Sequence, residues 1–165
     1  MPPTPTDDAT CPCGTGLPFA ACCQPILDGA AAATALALMR SRYAAFVRGR
    51  MDHVVGTHDP ATRAALDVAG ATRWSKETAW AGLEIVATEA GGATDDVGVV
   101  EFIARGATNG VPFAQRERSR FRRVDGRWHY VDGRLVPTRA TPVASGRNAP
   151  CACGSGKKAK RCCGA

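Results

Sequence analysis

The feature that most constrains this chain is a duplicated arrangement of cysteines. All eight cysteines lie in two short windows, CPCGTGLPFAACC and CACGSGKKAKRCC. Both windows read C-x-C-x8-C-C, and an identical four-thiol spacing at two separate places indicates the internal duplication of one small unit. The thiols are those of Cys11, Cys13, Cys22, Cys23, Cys151, Cys153, Cys162 and Cys163.

A metal site explains this spacing better than disulfides do. Adjacent cysteines and Cys-x-Cys pairs make strained bridges, and a cytosolic chain keeps its thiols reduced. Four converging thiolates satisfy tetrahedral zinc, which also supplies folding energy to a short segment with almost no core. We therefore expect two zinc sites, one in each window, with a disulfide or redox pair as the alternative.

The two copies differ in the residues between their cysteines. The N-terminal copy carries an apolar strip, residues 17–21, which predicts docking against the rest of the protein. The C-terminal copy carries the cations Lys157, Lys158, Lys160 and Arg161. These cations are expected either to neutralise the thiolates or to contact an acidic partner. Residues 137–149 are rich in proline and small polar residues and predict a flexible linker.

Length and composition fit one ordinary globular domain with small extensions, because the chain has 165 residues of which 45% are hydrophobic. No apolar run approaches the ~20 residues that span a bilayer. The first ten residues, MPPTPTDDAT, lack the basic and apolar regions of a secretory signal. We therefore expect a cytoplasmic protein that does not insert into a membrane.

The segment between the cysteine windows predicts helices first and antiparallel strands afterwards. Apolar residues at helical spacing predict one amphipathic helix over about residues 34–48. The dipeptide Asp59-Pro60 predicts a second helix over residues 60–68. The remaining runs resemble strands, and Asp125-Gly126 is a strong hairpin signal. This order predicts an α+β fold with helices covering one face of a sheet.

The motifs together resemble a known bacterial family. CACGSGKKAKRCCG is similar to the SEC-C motif, the zinc-binding segment also found at the C-terminus of the preprotein translocase ATPase SecA. Two such copies flanking LMRSRYAAFV, HDP, ERSRF and WHYVDG resemble the YchJ family over nearly the whole chain, although the N-terminal copy lacks every lysine of the motif. The resemblance implies a cone-shaped middle domain similar to nuclear transport factor 2-like (NTF2-like), SnoaL-like and cystatin-like proteins, and little about biochemical activity.

Four segments are therefore expected: an N-terminal zinc knuckle (8–27), an α+β domain (30–136), the linker (137–149) and a C-terminal knuckle (150–165). We expect a binding or adaptor protein whose basic C-terminal knuckle recruits a protein partner. The likeness to SecA favours a partner in protein export or on the ribosome. Nucleic acid is less favoured, because residues 137–165 contain no aromatic residue for stacking on bases. A metal-transfer or redox protein with exposed thiolates is a further alternative.

The interior of the sheet is the expected place for a pocket. On the third strand, alternation puts Glu117 and Ser119 on the apolar face, where buried polar groups need partners. The candidate pocket residues are Arg40, Arg42, Tyr43, His58, Glu117 and Ser119. They would form either a salt-bridge network that joins helix to sheet or a pocket. A pocket would make a small-molecule-binding protein or an enzyme the alternative function.

The other face of the third strand carries the arginines Arg116, Arg118, Arg120 and Arg122. We expect a solvated face whose arginines pair with Glu101 or Asp96 on the neighbouring strand, with a phosphate-binding surface as the alternative. The sequence contains no nucleophile elbow, P-loop or dinucleotide fingerprint, and its three histidines are scattered. We therefore assign no catalytic residue and favour a binding role over an enzyme.

Overall fold

Four helices precede four strands along residues 9–137, the part of the chain that the computed structural model describes. The helices are α1 (Gln24–Leu27), α2 (Ala35–Arg48), α3 (Met51–Gly56) and α4 (Val68–Glu77), with 3₁₀ turns at Phe19–Ala21 and Arg63–Ala65. The strands are β1 (Thr78–Ala90), β2 (Val97–Thr108), β3 (Val111–Val124) and β4 (Arg127–Leu135). None of these four helices has both the length and the apolar character needed to cross a bilayer.

Several sequence predictions lie outside the described residues. They concern most of the linker 137–149, the whole C-terminal knuckle, and the first residue of the N-terminal knuckle. The residues concerned in the C-terminal knuckle are Cys151, Cys153, Cys162, Cys163, Lys157, Lys158, Lys160 and Arg161. Their roles stay predictions.

The strands form one antiparallel sheet in the order β1-β2-β3-β4. The turns of the last two hairpins place Asn109-Gly110 and Asp125-Gly126 at positive φ. Asn-Gly and Asp-Gly favour this conformation, because it matches the twist of the paired strands. Irregular pairing beside Trp80 and Ile85 in β1 marks bulges, which bend a strand. The predicted α+β class and the predicted hairpin at Asp125-Gly126 are both confirmed.

Helix α2 supplies most of the contact between the helical layer and the sheet. Thr34 caps its start by accepting a hydrogen bond from Ala37 N (3.0 Å), and Gly49 ends it in the left-handed conformation at φ 71°. One side of the helix buries an apolar cluster with the inner face of β2, β3 and β4. The cluster includes Leu38, Met39, Tyr43, Val100, Phe102, Phe121 and Trp128. The helix predicted over residues 34–48 is confirmed.

The helix predicted over residues 60–68 is wrong. This stretch contains only the 3₁₀ turn Arg63–Ala65, and the next helix begins at Val68. The reason lies at Asp59, whose backbone N donates to Tyr130 O (2.8 Å) and whose side chain accepts from Ala61 N (2.8 Å) and from Arg122. These contacts attach the segment to the edge strand β4 instead of starting a helix.

The arginines on the outer face of β3 are paired with acids. Glu101 pairs with Arg116 and Arg118, Glu89 with Arg118, Asp132 with Arg120, and Asp59 with Arg122. The predicted pairing with Glu101 is confirmed. The predicted pairing with Asp96 is wrong: within the described residues, the Asp96 carboxylate forms no ion pair with these arginines. The backbone carbonyl of Asp96 accepts from Arg123 N at 2.8 Å. Because each arginine already has a carboxylate, a free phosphate-binding surface has little support here.

Candidate metal centre and interior cavity

The N-terminal module, defined as residues 9–27, folds its cysteines into a tight loop. Cys11 N donates to Leu17 O at 2.8 Å, so the chain reverses its direction between these two residues. Gly14 and Gly16 lie in this turn at φ 87° and 78°, a conformation that glycine adopts without a steric penalty. The loop brings together the sulfurs of Cys11, Cys13, Cys22 and Cys23.

The spacing of these four sulfurs fits a tetrahedral metal ion. They all lie within 4.8 Å of one another. Cys22 Sγ is 3.5 Å from Cys13 Sγ and 3.9 Å from Cys23 Sγ. Zn–S bonds of ~2.3 Å in a tetrahedron place the sulfurs roughly 3.8 Å apart. A disulfide would require about 2.05 Å, and all four residues are free cysteines. The cluster could therefore hold a metal ion.

The pKa values of three of these thiols, Cys11, Cys13 and Cys23, differ strongly. The hydrogen bond with Cys23 lowers the pKa of Cys13 to about 4. The same hydrogen bond, together with burial, raises the pKa of Cys23. Burial raises the pKa of Cys11 to about 11. Among these three, the thiolate is favoured at Cys13 and the neutral thiol at Cys11 and Cys23. A divalent cation would stabilise the thiolates of its ligands, because metals bind the deprotonated form.

The module packs against helix α2. Phe19 is only 4% exposed, and the guanidinium carbon of Arg48 lies 3.6 Å from its ring centroid, a cation–π contact. Arg40 Nη1 donates to Cys13 O at 2.7 Å and so connects the loop that carries Cys11 and Cys13 to the helix. The docking predicted for strip 17–21 is therefore present, but Phe19 alone is buried and the other four residues are exposed.

A second candidate site is a cavity of about 170 Å³ between the helices and the inner face of the sheet. Four of the six candidate pocket residues line it: Arg42, Tyr43, His58 and Glu117. Ser119 is buried behind this lining and donates to Glu117 Oε1 at 2.8 Å. Arg40 does not line the cavity. It lies two residues before Arg42 on α2 and therefore points to another side of the helix, toward Cys13.

Tyr130 connects the charged groups of the cavity. Its hydroxyl donates to Glu117 Oε1 at 2.8 Å, its ring lies 4.5 Å below the guanidinium carbon of Arg42, and the His58 ring centroid is 5.4 Å from its own. Burial and the nearby Glu117 raise the pKa of Tyr130. Burial lowers the pKa of Arg42 to about 10 and also lowers that of His58. Helix and sheet are therefore linked through an aromatic ring.

Ten of the fourteen residues that line the cavity were not predicted from the sequence. They include Trp74, Trp80, Gln115 and Tyr130. Gln115 precedes Glu117 by two positions on β3, and Tyr130 follows the buried Trp128 by two positions on β4. The period of two in a strand was thus a usable signal for both. Trp74 belongs to α4, a helix that the sequence analysis did not predict, so it could not be placed.

Family models match both parts of this architecture. The SEC-C motif matches residues 9–25 and 147–165, and the model of the YchJ middle NTF2-like domain matches residues 34–133. Together with the α+β fold and the cysteine cluster, these matches define a SEC-C motif protein built around an NTF2-like domain.

Relatives place the chain more narrowly. It is 48% identical over 157 residues to a UPF0225 protein of Geobacter sulfurreducens, with 94% of this chain and 98% of that protein covered. It is 43% identical to a UPF0225 protein of Serratia proteamaculans, with 93% and 97% covered. The chain therefore belongs to the YchJ family, to which these UPF0225 proteins are related.

Two solved structures share the fold. The solution structure of a SEC-C motif-containing protein from Rhodopseudomonas palustris superposes with a TM-score of 0.70 at 36% identity, covering 78% of this chain and 100% of that one. The crystal structure of a SEC-C motif-containing protein from Psychrobacter arcticus gives a TM-score of 0.67 at 35% identity, covering 96% and 97%. The arrangement of helices and strands is thus shared with these two proteins.

Proposed function

We propose that the protein is a zinc-binding adaptor in which the two cysteine quartets have different tasks. The N-terminal quartet holds a structural zinc that fastens the module to the NTF2-like domain. The C-terminal quartet holds a second zinc and presents a basic surface to a protein partner. The observation that carries the proposal is the convergence of four sulfurs within 4.8 Å in a module docked on α2.

The burial of the N-terminal quartet supports a structural task. Cys11, Cys13 and Cys23 are buried and Cys22 is half-buried. Structural zinc sites are closed by four protein ligands, whereas catalytic sites keep one position open. Buried thiolates also react slowly with external thiols and oxidants. A metal-transfer or redox role, which needs accessible thiolates, is therefore less well supported than a structural one.

The charge distribution supports the recruiting task for the other copy. Residues 137–165 contain six cations and no acid, whereas residues 1–29 contain three acids and no cation. Four thiolates with one zinc carry a net charge of −2, which the four cations within the motif exceed. The excess favours an acidic protein surface. The likeness to the SecA tail favours a partner in protein export or on the ribosome, and the free cysteines favour a cytoplasmic location.

The proposal predicts that crosslinked partners are lost when the C-terminal motif is removed. The intact chain, a chain ending at Val136, and a full-length variant with Lys157, Lys158, Lys160 and Arg161 changed to serine are crosslinked in cells and analysed by mass spectrometry. We expect both altered proteins to lose the same partner proteins. The change of exposed cations on α4, Arg73→Ser with Lys76→Ser, is the control and should retain them.

Partner sets that are identical for the intact and truncated chains would contradict the recruiting role. Loss from the truncated chain but not from the serine variant would assign recruitment to the zinc fold of the motif and overturn the part of the proposal that rests on its cations.

A further inference from the structure

The interior cavity contains a buried arginine whose best hydrogen-bonding edge has no partner. Arg42 is 5% exposed. Its Nη1 donates to Val54 O (2.8 Å) and Thr57 Oγ1 (2.7 Å), so both hydrogens of that nitrogen are used. Within residues 9–137, Nε and Nη2 donate to no protein atom. Glu117, which lines the same cavity, acts on Arg42 through its charge but accepts no hydrogen bond from it.

This free edge is suited to one kind of ligand group. The Nε–H and Nη2–H donors of a guanidinium form a planar fork that matches the two oxygens of a carboxylate. A buried charge is costly unless it is paired. The contact of Arg42 with the Tyr130 ring (4.5 Å) offsets part of this cost but leaves the donors of the fork unused. An anionic ligand would satisfy them.

The aromatic residues around the cavity select the rest of the ligand. Trp80 lies at the centre of a cluster, with its ring centroid 4.8 Å from that of Trp74 and 5.7 Å from that of Tyr43. Phe46 adjoins Trp74 at 5.6 Å. Such rings pack well against another aromatic ring, edge-on or offset. Trp74, Trp80 and Phe46 are only half-buried, so they retain surface to offer a ligand.

The size and charge of the cavity limit the ligand further. Its volume is about 170 Å³, and an engineered apolar cavity of about 150 Å³ holds one benzene molecule. A single ring therefore fits the cavity. Glu117 also lines the cavity, and its negative charge would repel a second carboxylate on the ligand.

We propose that this cavity binds a small monocyclic aromatic monocarboxylate, with its carboxylate on the Nε–Nη2 edge of Arg42 and its ring against Trp80 and Trp74. This site is independent of the adaptor function proposed above, because it uses neither the cysteines nor the C-terminal cations. Either proposal can therefore fail without the other.

Calorimetric titration of the full-length, zinc-loaded protein tests the proposal with benzoate as the probe. We expect saturable binding of benzoate with one site per chain. Benzamide has the same shape but no charge. Its affinity should be at least about tenfold lower than that of benzoate, as expected for the loss of a charge-assisted hydrogen bond. Phthalate, which carries a second carboxylate, should also bind more weakly than benzoate.

The variant Arg42→Lys keeps the charge but removes the planar fork, and it should weaken benzoate binding about tenfold. Arg120→Lys changes an exposed arginine on the opposite face of the sheet and should leave the affinity unchanged. Absence of saturable benzoate binding, equal affinities for benzoate and benzamide, or unchanged affinity in a folded Arg42→Lys protein would overturn the proposal. The comparison of benzoate with benzamide uses the unaltered protein and stays decisive if Arg42→Lys does not fold.

Discussion

The variant Cys13→Ser is expected to lose one equivalent of zinc per chain and about 3 to 6 kcal/mol of stability. A serine hydroxyl does not replace a thiolate as a zinc ligand, and zinc provides most of the folding energy of such small modules, about 10 kcal/mol or more in peptides. Without the metal, the module should detach and expose Phe19 and Leu27, each 4% exposed in the folded protein. Each buried side chain of this size contributes about 1.5–3 kcal/mol. Elemental analysis and denaturant unfolding measure the two effects.

Leu17→Ala is the matched control for Cys13→Ser, because Leu17 lies in the same loop but is 51% exposed. It should retain the full zinc content and its stability should change little. Cys151→Ser should remove the other predicted equivalent of zinc and leave the unfolding of the NTF2-like domain unchanged. A full complement of zinc in Cys13→Ser, or no metal in the natively purified protein, would contradict a tetrathiolate site in this module.

The elements that could be predicted from the sequence are those that local patterns determine. Helix α2 has an apolar side at helical spacing, a threonine cap and a terminal glycine, all within one short segment. The Asp125-Gly126 hairpin depends on two adjacent residues. The segment after Asp59 has equally clear helix-start signals, but its backbone bonds to Tyr130, far along the chain, prevail. A local pattern cannot report such a contact.

The same distinction separates the two candidate sites. The four sulfurs of the metal centre come from 13 consecutive residues, so their spacing was enough to predict that they meet. The residues that line the cavity come from helices α2, α3 and α4, from the segment between α3 and α4, and from every strand of the sheet. Alternation in β3 predicted the side on which Glu117 lies, but the direction of Arg40 depends on how α2 is rotated against the sheet. That rotation is set by packing.

Asp59 illustrates how one buried contact organises the region between helices and sheet. Its side chain is 1% exposed and pairs with Arg122 on β3, whose side chain is 45% exposed. Its Oδ1 also accepts from Ala61 N at 2.8 Å. Because the backbone N of Asp59 donates to Tyr130 O on β4 and its carboxylate accepts from Arg122 on β3, Asp59 connects the 57–62 segment to two strands. The other acids that pair with β3, which are Glu89, Glu101 and Asp132, lie on strands of the sheet itself.

Asp59→Asn is therefore expected to lower the free energy of unfolding by about 3 kcal/mol. Removing one partner of a buried ion pair costs about 3–5 kcal/mol, and the partial exposure of Arg122 puts the effect at the lower end. Asparagine keeps the shape and the acceptor for Ala61 N, so the loss reports the charge together with the one oxygen that no longer accepts from Arg122. Urea unfolding at pH 7 provides the measurement.

The pH dependence separates this charge effect from a packing effect. Arg122 lowers the pKa of Asp59 to about 2, from 3.8 for an ordinary aspartate. The unfolded chain therefore binds the proton more readily, and the contribution of Asp59 is fully present above about pH 4 and declines as the pH falls toward 2. The difference between the unaltered protein and Asp59→Asn should shrink over the same range, even though zinc leaves both proteins in acid.

The control variant is Asp132→Asn, which breaks a pair whose side chains are 65% and 51% exposed. It should lower the free energy of unfolding by at most about 1 kcal/mol. Equal losses in the two variants would show that Asp59 contributes no more than a surface acid.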